Sequence, residues 1–312
     1  MKRTEHRIVS LLPSATEIAC ALGLEKELVG ITHCCDYPKE EIEGKAVVVR
    51  SALPIDEMTM SEIDSAVAER LREGESLYLV DEELLRQLEP TLLLTQDLCQ
   101  VCAPAGNEIS RALGALATKP HVIWMSPHSL TDIQSDIIVV GGATDRLQEA
   151  DAVVSRMRKR LQEVQRACAS VERPSVFCAE WLDPLYCSGH WVPEMVEVAG
   201  GREVLGKKWK DSVRVSWESV REAEPEVILV MACGMSCEEG IEAVGWLRAQ
   251  PGFGELPAVR NDRVFAVDAS YFSTPGPRVV DGVELLAHLL QPDRCEWRGA
   301  ADAFAWIDCG VK

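Results

Sequence analysis

Residues 147–169, LQEADAVVSRMRKRLQEVQRACA, are charged around most of a helical circumference and carry their apolar residues on one stripe. They read as one long helix of about six turns at 1.5 Å per residue. What lies on either side decides the fold. Before it come IVSL (8–11), LVGI (28–31), AVVV (46–49), SLYLV (76–80), TLLLT (91–95) and HVIWM (121–125). After it come SVFCA (175–179), EVILVMA (226–232) and VFAV (264–267). These short runs are apolar on both faces, as a buried parallel sheet requires.

Helical spacing alternates with the strands. It opens at Pro13-Ser14, at 61–74 with Ser61 as N-cap, after Asp81, over 107–117, from about 238 to 249, and near 279–290. Strand-helix alternation gives an α/β class with two Rossmann-like lobes, largely parallel sheets and one joining helix. The expected boundaries are an N-terminal lobe over 1–142, the connecting helix over 143–170, a C-terminal lobe over 171–292 and a tail over 293–312.

The chain has 312 residues, enough for two cores. Its net charge of −18 argues against nucleic acid or an anionic membrane as partner. No run of about 18 apolar residues exists, so no membrane-embedded helix is expected. In MKRTEHRIVSLLPSATEIACALG the apolar run is broken by Pro13, Ser14, Thr16 and Glu17, unlike a signal peptide. The expectation is a cytoplasmic protein, exported if the true start lies upstream. Its twelve cysteines are then thiols, ligands or redox groups rather than a disulfide frame.

In open α/β sheets, ligands bind beyond the carboxyl ends of strands. Eight of the twelve cysteines follow that rule: Cys34, Cys35, Cys99, Cys102, Cys178, Cys187, Cys233 and Cys237. The CxxC pair Cys99 and Cys102 spaces two thiolates for one ion, and Cys34, Cys35, His33 or Asp36 would complete a tetrahedral zinc or iron site. The same spacing suits a dithiol, and packed, inert thiols are the bland alternative. His190 beside Trp191 and near Trp181 suits a flat, partly apolar ligand, or a packed aromatic cluster. SYFSTPGPR (270–278) presents Tyr271, Phe272 and Arg278 as a further wall. Ser14 and Thr16 open the first helix facing the same rim and are candidate ligand-binding residues, with plain capping the favoured reading. No P-loop, GxSxG, HExxH or GxGxxG is present.

RIVSLLPSATEIACALGLEKELVGITHCCDYP, TQDLCQVCA, EWLDP, GHWVPEMVEVAGG and SYFSTPGPR together resemble the iron-siderophore and cobalamin substrate-binding proteins of ABC importers. The likeness covers about residues 7–292 and runs closest to a leaderless cobalamin-binding subgroup. It implies the class III periplasmic-binding-protein fold and no enzymatic activity. It also implies cobalamin or another metal chelate held between the lobes by Trp181, Trp191, Tyr271 and Phe272, with His190 or His33 offering a nitrogen to cobalt. A partner permease follows from the same likeness. The subgroup has a glutamate where this chain has Cys34. The alternative, of another class, is a metal- or thiol-dependent enzyme using Cys34, Cys35, Cys99 and Cys102.

Overall fold

The structure is a computed structural model that describes residues 6–96, 111–114, 116–170 and 172–310. Two compact units form. One runs to Pro127 and includes Thr131–Ser155; the other comprises His128–Leu130 and the chain from Arg156 onward.

The first unit holds strands β1 (Ile8–Ser10), β2 (Leu28–Thr32), β3 (Ala46–Ser51), β4 (Tyr78–Val80), β5 (Leu92–Gln96) and β6 (His121–Met125). They order as β4-β3-β2-β1-β5-β6, parallel except for the β3–β4 edge pair. β1 and β5 are buried along their whole length, Ser10, Thr95 and Gln96 included, because both faces of the central strands are covered. The Met60–Glu73 helix is capped by Thr59, whose hydroxyl accepts from the Glu62 amide while Glu62 reaches back to the Thr59 amide. The cap is therefore Thr59 and not Ser61, because only Thr59 has a glutamate three residues on. Asp81 caps the Glu82–Leu88 helix as its sequence suggests.

LTDIQSDIIVVGGA forms a further helix, Leu130–Ala143, which its isoleucines, valines and paired glycines disguise. Asp145 in a left-handed conformation (φ +55°) separates it from the long helix, Leu147–Ala167. Gly141 is required at this turn, because a Cβ there would stand 2.5 Å from that of Ala150.

Asp136 on the Leu130–Ala143 helix has a buried Oδ2 with no hydrogen-bond partner. Burial pushes its carboxyl from 3.8 up to about 7, and Asp132 adds to the effect. Folding thus favours the protonated acid. The stability it contributes is present below its ordinary pKa and is lost as pH rises through the folded value. Asp136→Asn is expected to match the wild type in Tm near pH 4 and to exceed it above about pH 7. Thermal melts across that range check this; a difference that does not grow with pH would exclude it.

The second unit holds β7 (Ser175–Trp181), β8 (Tyr186–Cys187), β9 (Arg202–Glu203), β10 (Val213–Arg214), β11 (Val227–Val230), β12 (Val264–Val267) and β13 (Phe304–Trp306). The order is β10-β8-β7-β11-β12-β13, with β9 also on β7. Only β7, β9, β11 and β12 pair in parallel, so this sheet is mixed. The expected strand SVFCA continues to Trp181, and the chain then turns back so that β7 and β8 form an antiparallel hairpin. The tail contributes β13, antiparallel to β12 at the sheet edge. Arg160 bonds both Glu284 oxygens, at 2.8 and 2.7 Å, and Asp281, tying the long helix to the Val279–Leu290 helix.

Candidate functional site

The chemistry of the second unit gathers after β7 and β8. Ser188, Gly189 and His190 lead from β8 into the Val192–Val198 helix. His190 adopts φ +53°, and its backbone is held on both sides. Its amide donates to the Lys210 carbonyl at 2.6 Å, and its carbonyl accepts from the Trp209 amide at 2.9 Å. Gly189 makes the approach possible, because a Cβ there would lie 2.4 Å from the Ser212 amide nitrogen.

Glu180 anchors this pair of segments, and Glu203 fastens the turn after β9 to β7. Glu180 accepts the Ser212 hydroxyl at 2.7 Å. Burial pushes its carboxyl above the usual range, with Ser212 and the Gly189 amide opposing. Glu203 Oε1 accepts the amides of Val204, Leu205 and Gly206 at 3.0–3.1 Å, and its Oε2 accepts that of Cys178 at 3.1 Å.

His190 Nε2 stands 3.5 Å from an Asp211 oxygen, and its ring lies 5.8 Å from His128 and 5.6 Å from Trp191. Burial lowers its pKa below 6.5, against the pull of Asp211. At neutral pH the ring is therefore uncharged, the form that ligates metal or accepts a hydrogen bond.

Trp191 is 5% exposed and donates its indole N–H to the Phe272 carbonyl at 2.7 Å; Phe272 is 1% exposed. Both are core residues that hold the 270–273 turn against the His190 segment, and neither offers a ring face to a ligand. Tyr271 is the half-buried ring of that turn. The Arg278 guanidinium lies 5.9 Å from its centroid and Nη1 donates to Ser270 Oγ at 3.2 Å. Burial, aided by Asp268, raises the Tyr271 phenol, so it stays neutral. Trp181 is half-buried and bonds the Asp183 carbonyl within its hairpin at 3.1 Å. Contacts thus join His190, Trp191, Phe272, Tyr271 and Arg278.

Three residues escaped the sequence reading. His128 follows β6 and was open to the strand-end rule. Asp211 carries no signal of its own. Trp297 sits in the tail, yet packs edge-on against Tyr271 at 5.9 Å.

In the first unit, Leu12 is the N-cap of the Pro13–Ala21 helix without a side-chain bond, so Ser14 and Thr16 do not cap it. Both are buried. The Thr16 hydroxyl donates to Ser10 Oγ at 2.8 Å and lies 3.0 Å from Cys35 Sγ. Burial pushes the Cys35 thiol up to about 12, which leaves it an inert packed thiol. His33 Nδ1 lies 3.2 Å from both Thr32 Oγ1 and the Val49 carbonyl, and its Nε2 3.3 Å from the exposed Cys34 Sγ. Among the described residues no group of three His, Cys, Asp or Glu is arranged to hold a metal. Cys99 and Cys102 lie outside the described residues. Cys178, Cys187 and Cys237 are buried, so these three strand-end cysteines do not line an open rim.

The family model of periplasmic binding proteins matches residues 8–271. The chain belongs to that family. It is therefore a ligand-binding protein and not an enzyme, which sets aside the thiol-enzyme alternative. An uncharacterized ABC transporter substrate-binding lipoprotein of Bacillus subtilis is 25% identical over 301 residues, covering 94% of this chain and 82% of its own length. A vitamin B12-binding protein of Vibrio cholerae is 27% identical over 289 residues, covering 92% and 89%. The solved periplasmic heme-binding protein from Roseiflexus shares the fold, with a TM-score of 0.70 at 23% identity over 93% of this chain and 99% of that one. The cytoplasmic expectation is corrected by these findings. Proteins of this family are periplasmic, and one matched relative is a lipoprotein, which points to a location outside the cytoplasm. No helix among the described residues is long and apolar enough to cross a membrane.

Proposed function

We propose that the chain is the substrate-binding component of an ABC importer and that its ligand is a corrinoid, cobalamin in the first instance. The observation that carries this reading is the 27% identity to a vitamin B12-binding protein over 92% of the chain. The second unit supplies suitable chemistry. Trp181 and Tyr271 offer apolar rings to a flat macrocycle, and Arg278 beside Tyr271 offers a cation to its polar side groups. Neutral His190 supplies a nitrogen for the cobalt or for a hydrogen bond. A membrane permease is the expected macromolecular partner, since delivery is what such components do. The fold alone is shared with a heme-binding protein and does not choose between macrocycles.

Titration with cyanocobalamin and, separately, with haemin tests this. Cobalamin is expected to bind with a dissociation constant of about 1 μM or tighter, equal to about 8 kcal/mol. Tyr271→Ala is expected to weaken it at least about tenfold, the loss of one buried ring contact. Tight haemin binding with no response to cobalamin would reject the corrinoid reading and leave the family membership intact.

A further inference from the structure

Cys168, one residue beyond the long helix, is 1% exposed. Cys295 follows the Val279–Leu290 helix and is partly exposed. Their Sγ atoms lie 3.9 Å apart, although 127 positions separate them in sequence. Both are held by their backbones. The Cys168 amide donates to the Val164 carbonyl, and that of Cys295 to the Gln291 carbonyl, each at 3.0 Å. His288 Nδ1 lies 2.9 Å from the Cys295 carbonyl. Gln291 donates to the carbonyls of Glu172 and Gly200 at 2.8 and 3.3 Å, fixing the turn that carries Cys295 to the chain around Cys168. Gly200 itself has no room for a Cβ, because the Cys168 Cβ would be 2.8 Å away. The two thiols are therefore held as close neighbours, and a disulfide asks the sulfurs to close from 3.9 Å to about 2.05 Å.

We propose that Cys168 and Cys295 close into a disulfide when the folded chain meets an external disulfide oxidant, locking the C-terminal segment to the end of the long helix. The inference rests on the family's location outside the cytoplasm, where disulfides persist, and not on the identity of the ligand. Cys295, which solvent reaches, attacks first. Its thiolate displaces one thiolate from the oxidant RS–SR, forming a mixed disulfide. The Cys168 sulfur then attacks the Cys295 sulfur and expels the second thiolate. Two protein thiols are oxidised, RS–SR is reduced to two RSH, and the two protein protons end on them. Burial pushes the Cys168 thiol up to about 12, with Cys295 adding and Arg173 opposing, so Cys168 is not the first to attack, and its own step relies on the 3.9 Å proximity of the two sulfurs. The lock holds the segment that places Trp297 against Tyr271 and β13 against β12.

The test uses the full, natively folded chain. It is incubated with glutathione disulfide in mildly alkaline buffer, alkylated, digested without reduction and mapped by mass spectrometry. The expected result is a peptide pair joined through Cys168 and Cys295, while Cys34 and Cys233, both exposed, carry alkyl or glutathione groups. Oxidised wild type is expected to melt about 5 °C above reduced wild type, and Cys295→Ser to show no such gap. Recovery of both thiols alkylated from the oxidised protein, or Cys295 joined to another cysteine, would overturn the proposal. The map is made on wild type and does not depend on the variant folding.

Discussion

Replacement of Glu203 by alanine is expected to lower the unfolding free energy by about 3 kcal/mol, the cost of stranding enclosed backbone donors that one buried carboxyl had satisfied. Four amides point at this one carboxylate: those of Cys178, Val204, Leu205 and Gly206. Three of them come from consecutive residues that turn around Oε1. The fourth comes from the middle of β7, so the side chain fastens the turn after β9 to the central strand of the sheet. Alanine removes every acceptor at once and leaves a gap the turn must fill. Glutamine keeps one oxygen for the turn but aims an amide group at the Cys178 N–H, and is expected to lose less. Urea unfolding of the two variants at neutral pH measures both values. A loss under about 1 kcal/mol for Glu203→Ala would mean that water replaces the carboxylate without penalty.

The second large effect is expected on binding. Gly189→Ala places a methyl group 2.4 Å from the Ser212 nitrogen, 2.5 Å from the Lys210 carbonyl oxygen and 2.6 Å from the Asp211 carbonyl carbon. All three are backbone atoms and none can swing away as a side chain would. Either the 188–191 segment or the 210–212 segment must shift, and with it the bond from the His190 amide to Lys210. The fold is expected to survive with a loss of about 1–3 kcal/mol, typical of overpacking. Cobalamin affinity is expected to fall at least about tenfold, because His190 and Asp211 move apart. Gly245→Ala is the matched control. Nothing lies within 4 Å of its added Cβ, in the exposed stretch of the Cys237–Arg248 helix. It is expected to gain up to about 1 kcal/mol of stability with unchanged affinity. Equal affinities for the two variants would show that the Gly189 contact does not position the site.

By itself the sequence determined the class of fold and most of its parts. IVS, LLLT, SVFCA, VILV and VFAV are buried strands because an apolar run on both faces can be satisfied only inside a covered sheet. The final helix falls at Val279–Leu290, within a heptad-like apolar stripe that period alone exposes. The family was equally legible, since its motifs are local runs such as HCCDYP and SYFSTPGPR. Short-range readings failed where two local signals competed. Ser61 gave way to Thr59, and the hairpin from β7 to β8 hid in a stretch with no alternation.

Tertiary structure alone decided which candidates are presented. Trp181, Trp191, Tyr271 and Phe272 look alike as aromatics near loops. Two are half-buried and two are core, because the Trp191 indole found the Phe272 carbonyl 81 positions away. Cys168 and Cys295 became neighbours for the same reason, as did Tyr271 and Trp297. Burial and partnership are properties of pairs distant in the chain. Periodicity reports only what a residue's own element does, and carries no information about which remote carbonyl, ring or thiol will meet it.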